Sequence, residues 1–564
     1  MKVKTSAWMV RSAVVAAVAA ALLQGAFAET VFKAEFREGL PGWKIENGGT
    51  VAAFEKTFGE QALVVRRDPK AKGKGTNWGI IGEPFKVTPG KRLAIIVRAR
   101  STYEDLRFCH GYFGRYITGV DWYGEDGKKL PVPYGFGYDI DPKGWAYTVV
   151  GTTVPDGAAT ARLQFGMDTP NFTSNDWFAV SQAWVEMSDP KESGSVVTLR
   201  DDGMTLVDGK PFFPIGIYAV CECERNGNSV ENAFRDLKAA GFNTMLRSGR
   251  SKVNDDEFLS LADKHGLMAI AMPAPGYKSD FVKQTLVPKL RHHKSVLAWY
   301  LADDTASHVG PEVVSFRDRV CKVFDPCRLT LQADTVMIGC ANCRYDRFVN
   351  STDVFLPEIY PVYTVEPNGD EVSAVVRDMT ASRQAVVAAG SPVKSIWPII
   401  QHFDGWTSWK RFPTFEELRA MSWASIVHGG NGIVWYVYHS LSGHGRGVVC
   451  SDEHWKEMTT VSSEIASLAG DLLTRTAADQ PAVEIVSGPA KDYYGYTSVS
   501  ALLKTGDTPL LATVNAATNS VKAVVRVKGF RRAELIGKGR ALDATKGISD
   551  EWEPYGVRLY RIYR

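Results

Sequence analysis

Asp303 and Asp304 end the stretch Ser295-Val296-Leu297-Ala298-Trp299-Tyr300-Leu301-Ala302-Asp303-Asp304, in which the seven residues from Val296 to Ala302 are uncharged. A lone acid, Glu358, sits in Leu356-Pro357-Glu358-Ile359-Tyr360-Pro361, and another, Asp404, follows Ile400-Gln401-His402-Phe403. Two carboxyls brought together by a fold can do acid–base chemistry: one delivers a proton while the other attacks or activates water. A carboxyl in an apolar run is costly to bury unless it is neutralised or has a cation partner, and burial raises its pKa. Asp304 is the first candidate for acid/base and Glu358 for its partner, with Asp404 as runner-up for the second role. The plainer alternatives are an Asp304 that caps the next helix and a Glu358 paired with Arg247.

The uncharged run before the aspartates suits a strand buried on both faces, as parallel sheets require. Similar runs place strands near 213 to 218, 243 to 247, 267 to 272, 296 to 302, 328 to 332, 353 to 359, 394 to 400 and 432 to 438. Between them lie helical patterns. Phe234, Leu237 and Ala240 share one face ahead of Gly241, acids open and Lys264-His265 close the segment before Gly266, and Thr414 with Glu417 forms a capping box. Alternating strand and helix periods over eight strands predict a (β/α)8 barrel, whose chemistry gathers at the C-terminal ends of the strands. Adjacent residues on a strand face opposite sides, so only one of Asp303 and Asp304 is expected to face that mouth directly. Arg247, Asp303, Gln332, Tyr360, Gln401, Asp404, Trp435 and Tyr438 are the expected substrate contacts. Trp397, Trp406 and Trp409 offer further flat surfaces, although Trp397 lies within a strand.

The stretches DGKPFFPIGIY, DLKAAGFNTM, LADKHGLMAI, HHKSVLAWYLADD, STDVFLPEIYPV, WPIIQHF, RFPTFEELRAM and HGGNGIVWYVYH follow one another between about 200 and 475. In order and spacing they resemble exported bacterial TIM-barrel glycoside hydrolases, the broad group of β-galactosidases, β-mannosidases and cellulases. The resemblance implies a saccharide substrate, hydrolysis of O-glycosidic bonds in a poly- or oligosaccharide, and no cofactor. It also implies an acid/base carboxylate where strand four ends and a nucleophilic Glu where strand seven ends. Asp304 occupies the first place with a side chain one methylene shorter than the group's Glu. At the second the chain reads Ile400-Gln401-His402, an amide where the nucleophile belongs. Retention needs carboxyls about 5 Å apart and inversion roughly 6.5 to 9.5 Å, and the sequence leaves both open. It also leaves open a barrel that binds saccharide without cutting it.

The flanks read differently. Residues 29–195 show short β-branched runs divided by turn clusters, and resemble the jelly-roll carbohydrate-binding modules found beside such hydrolases; Trp78, Tyr112, Tyr116, Trp122, Tyr123 and Tyr134 are the groove candidates, against a purely structural role. The barrel is assigned to 196–475 and a small β-sandwich to 476–564. Fifteen Trp, 21 Tyr and 26 Phe among 564 residues suit either core packing or sugar platforms. A net charge of +3 without a basic run argues against nucleic acid. Lys2, Lys4 and Arg11 before an Ala- and Val-rich run and Ala26-Phe27-Ala28 predict a secretory leader, residues 1–28, cleaved after Ala28. No later run spans a bilayer, so an exported chain is expected, periplasmic or extracellular, with its oligomeric state open. Eight cysteines in such a chain point to disulfides rather than a zinc site built on Cys221, Cys223, Cys340 and Cys343. His292-His293 lacks the i, i+4 spacing that sets two ligands on one helix face, and no metal is expected.

Overall fold

The computed structural model describes residues 28–564 apart from 37–41, 46–49, 58, 68–76, 102–114, 132–135, 139–144, 169–176, 189–192, 221–222, 225–226, 248–250, 273–286, 288–289, 305–310, 336–344, 390–393, 406–407 and 440–444. Residues 1–27 of the expected leader, Cys109, Cys221, Cys340, Cys343, Tyr112, Tyr134 and Trp406 lie outside the described residues, as do the side chains of Trp78 and Tyr116. The chain divides into two compact units, 1–192 and 193–564.

The first unit is built from two six-stranded sheets with antiparallel pairings. Alternate residues of their long strands, Leu93, Ile95 and Val97 from one sheet and Leu163 and Phe165 from the other, fill a common apolar core. Trp122 belongs to that core and is buried, which removes it from the groove candidates. Tyr123 is half-buried beneath the Arg162 guanidinium, 5.4 Å from its ring.

The second unit holds the eight expected strands: β1 Ile215–Ile217, β2 Thr244–Leu246, β3 Met268–Ala271, β4 Val296–Asp303, β5 Leu329–Thr335, β6 Val354–Ile359, β7 Ile399–Gln401 and β8 Ile433–Tyr436. All pair in parallel with their neighbours, and β8 pairs back onto β1, closing the ring. A three-stranded antiparallel sheet over 197–212 precedes β1, and its Val197, Leu199, Val207 and Phe212 pack with the ring's interior residues Leu297, Leu331, Val354 and Val434.

Among the described residues, six helices of ten residues or more surround the ring: α1 Val230–Ala239, α2 Asp255–His265, α3 Pro311–Phe324, α4 Glu371–Ala388, α5 Phe415–Val427 and α6 Asp452–Ser467. The local signals act as the sequence suggests. Ser229 accepts from Asn232 N–H ahead of α1, Asn254 and Glu257 form a capping box on α2, and Gly266 ends it at φ +62°. Thr414 and Glu417 do the same for α5. Gly241, at φ +88°, lets the end of α1 meet α6, since a Cβ there would lie 2.7 Å from Ala466.

Beyond 480, a three-stranded and a five-stranded sheet enclose Val521, Val525, Trp552 and Tyr560. They join the barrel through a buried polar knot. Glu371 accepts from Asn368 N–H at 2.8 Å, Gly369 N–H at 2.9 Å, the Tyr555 hydroxyl at 2.8 Å and Arg411 at 3.4 Å. Glu371→Gln turns an amide donor toward groups that themselves donate. Urea denaturation is expected to show a loss of about 1–3 kcal/mol, the cost of an unsatisfied buried group.

Cys321 and Cys450 carry free thiols, against the expectation of disulfides at those positions. Among the described residues no helix is long and apolar enough to cross a membrane.

Candidate active site

The end of β4 departs from regular pleating. Tyr300 pairs with Leu331 and Ala302 with Gln332, so an extra residue on β4 bulges out of the β5 ladder. A bulge re-aims the side chains beyond it. Tyr300 and Asp303, three positions apart and on opposite faces of a regular strand, therefore meet: the Tyr300 hydroxyl donates to Asp303 Oδ1 at 2.7 Å. The Tyr300 hydroxyl also bonds the Tyr218 hydroxyl, just beyond β1. Asp304 then takes φ +50°, a left-handed conformation that Asp tolerates better than most residues. Both aspartates consequently lie at the mouth, where strand parity alone allowed one.

Glu358 faces them from β6. Val354, Leu356 and Glu358 alternate inward, and the first two lie in the ring's interior cluster. Burial above all, then the charges of Asp303, Asp304 and Asp334 and a hydrogen bond with Asp304, holds the Glu358 carboxyl well above the usual carboxylate range. Burial, with the Asp304 charge, pushes Asp303 up to about 6 against the opposing bond from Tyr300. Asp304 itself is exposed. The arrangement is a half-buried carboxyl, held above the usual carboxylate range, beside a carboxyl open to solvent, with a third alongside.

Tyrosines wall this cluster. The Tyr360 hydroxyl donates to Glu358 Oε1 at 3.3 Å, and the Tyr360 ring packs against Phe403, Trp409 and Tyr436. Trp409 fixes the loop by donating from its indole to the Tyr360 carbonyl at 2.9 Å. The Tyr218, Tyr300 and Tyr360 hydroxyls are all pushed far up by burial and by the nearby carboxylates, so they stay protonated as donors.

Several expected contacts lie elsewhere. Arg247 is half-buried and pairs with Asp255 at 2.9 Å and with the Val253 carbonyl at 3.0 Å, not with Glu358. Gln332 alternates with the inward-facing Leu331 and Ala333 and is buried on the outer side of the ring. Trp435 also faces outward, with its indole on Ser422 Oγ at 3.1 Å and its ring against Phe242. Tyr438 is buried against Trp455. Trp397 is core, its indole on Ser395. Asp404 is buried and held by Arg446, whose Nε donates to Oδ1 at 2.7 Å, so it is not a free base. The sequence reading missed Tyr218, Tyr300 and Tyr436. For Tyr436 the signal was present, since alternation from the inward-facing Val434 selects it over Trp435.

Gln401, where a nucleophile was sought, is fully buried. Its Oε1 accepts from Val362 N–H at 2.8 Å, while its Nε2 donates to the carbonyls of Val362 at 3.0 Å and Phe403 at 3.3 Å. The amide clamps the loop after β6, and both of its functions are engaged. Gln401→Glu sets a carboxylate against two carbonyls. It is expected to add no activity and to cost about 2 kcal/mol, read as a lower urea midpoint.

No protein-family model matches the chain, and no curated protein matches it. Among solved structures it is similar to a family 5 glycoside hydrolase from Bacteroides vulgatus, at 12% identity over 65% of this chain and 93% of that one, TM-score 0.45. It is similar also to a GH42 β-galactosidase from G. stearothermophilus, at 8% identity over 66% and 100% of the two chains, TM-score 0.46. A third is an endo-β-1,4-mannanase from Thermotoga petrophila, at 10% identity over 62% and 90%, TM-score 0.35. The barrel assignment rests on the closed ring of strands itself.

Proposed function

We propose that this chain hydrolyses O-glycosidic bonds in a poly- or oligosaccharide, with Glu358 as proton donor and Asp304 as the attacking carboxylate. One observation carries the reading: a half-buried carboxyl on β6, held above the usual carboxylate range, sits beside an exposed carboxyl at the end of β4, inside the mouth of a closed barrel. That mouth is where such folds place their chemistry. Retention asks for two carboxyls about 5 Å apart and inversion for roughly 6.5 to 9.5 Å; attack by Asp304 itself is the retaining course. Substrate displaces the bond between the two acids. Glu358 passes its proton to the leaving oxygen as Asp304 bonds to the anomeric carbon; water then cleaves that ester and returns a proton to Glu358. Asp303 with Tyr300, and Tyr360 on Glu358, hold the reacting groups in place.

Gln401 supports a second reading, a barrel that binds saccharide without cleaving it, because the strand that would carry a nucleophile has an amide fully engaged in structure. Aryl glycosides and neutral, acidic and amino-sugar oligosaccharides, assayed for released phenol or reducing ends with Asp304→Asn as the control, separate the two. Cleavage by the native chain, lost in the variant, supports hydrolysis; binding by calorimetry without cleavage of any substrate supports the second. Export is part of the proposal, on the strength of the basic and apolar composition of residues 1–28. So is saccharide binding by 29–195, for which the half-buried Tyr123 remains a candidate.

A further inference from the structure

We propose that the outer side of the barrel carries a site for a divalent transition cation, zinc foremost, held by His402, His454 and Glu457. His402 follows β7 directly, and His454 and Glu457 lie three residues apart on α6. His454 Nδ1 is 3.0 Å from Glu457 Oε2, and His402 Nε2 is 4.0 Å from the same oxygen. One ligand atom from each of the three residues lies within 4.8 Å of the others. Zinc bound to imidazole and carboxylate at ~2.0–2.2 Å sets its ligands about 3.3 Å apart in a tetrahedron, so small rotations close the three onto one ion. Two imidazoles and a carboxylate are a donor set that zinc accepts readily.

The surroundings hold the ligands in place. His402 is fully buried, and its Nε2 lies 3.3 Å from the His454 carbonyl. The His454 ring stacks on Phe412, centroids 3.7 Å apart and 18° from parallel. Arg446, 5.8 Å from the Phe412 ring centroid, is neutralised by Asp404. Three protein ligands leave one position for water. The ion would tie the end of β7, and with it Gln401, to α6. Sequence spacing hides the site, because its ligands come from elements about fifty residues apart and the pair on the helix is i, i+3. The proposal is independent of whether the mouth cleaves saccharides.

The test is metal analysis of the purified full chain, before and after incubation with zinc sulfate and desalting, together with thermal unfolding. About one zinc per chain is expected, with a rise in Tm on adding zinc. Both effects should fall at least tenfold in His454→Ala and Glu457→Gln, which alter partly exposed side chains, and persist in Glu453→Gln, an exposed carboxylate one residue before His454. Far-ultraviolet circular dichroism establishes that each variant is folded. Less than a tenth of an equivalent of zinc in the native chain after incubation, or full retention by both ligand variants, overturns the site.

Discussion

Glu358→Gln should lower kcat by about 10²–10⁴-fold on substrates with alkyl or sugar leaving groups, the usual contribution of a positioned general acid. The loss should shrink for aryl glycosides whose phenol departs unaided, because no proton is then needed. Asp304→Asn should abolish turnover of both substrate types, since bond formation to the anomeric carbon is required in either case. The two variants therefore differ in their dependence on the leaving group, and a Brønsted series reads it. The pH profile gives a second signature. Burial and the charges of Asp303, Asp304 and Asp334 keep Glu358 protonated well past the usual carboxylate range, so the native rate should fall on the alkaline side as that proton is lost. Glu358→Gln should lose that limb. Equal losses for all leaving groups with an unchanged alkaline limb would remove Glu358 from the role of acid.

Asp303→Asn should make the protein more stable at pH 8 while impairing catalysis. The folded-state pKa of Asp303 lies at about 6, above the ordinary 3.8. A carboxyl raised on folding stabilises the folded state fully below its unfolded pKa, and that stability is lost as pH rises through the folded value. The native chain should therefore lose up to about 3 kcal/mol between pH 4 and 6 from this residue. The cost persists at higher pH as a buried charge. An amide does not ionise, accepts the Tyr300 hydroxyl as the carboxylate does, and leaves that part of the pH dependence flat. Urea midpoints of the two proteins, compared at pH 4 and pH 8, measure it: the difference should appear only at the higher pH. A variant less stable at both values would mean that Asp303 is held by its bonds rather than tolerated despite its charge.

The ring of strands was legible because each of its strands is short, apolar and bounded by turn or capping residues, and those signals are local. The meeting of Asp304 with Glu358 was legible too, since both end their strands on the same side. The placement of Asp303 was not. Strand parity sends it away from the mouth, and only the bulge at Tyr300 and Ala302 with the left-handed turn at Asp304 brings it back; neither is marked by a glycine. Trp435 and Tyr438 misled because an aromatic residue at a strand's end reads as a platform, whereas the inward-facing neighbour, Tyr436, is fixed by register. Gln401 reads as a substrate contact until the Val362 backbone is seen to occupy its amide. Pairings of that kind join residues distant in sequence, and no pattern in either segment announces them.

The burial of α5 bears on how the second unit can come apart. From Leu418 to Ile426 every residue but Arg419 is buried, and Leu510, Ala512, Val514, Val557 and Leu559 of the trailing sheets share one apolar cluster with it. A helix buried all round has no wet face to fall back on. The eight-stranded ring is thus a topological unit but not a thermodynamic one: melting the trailing sheets strips the cover from its wall, and both should be lost in one cooperative step, so neither half is a self-sufficient module for recombination.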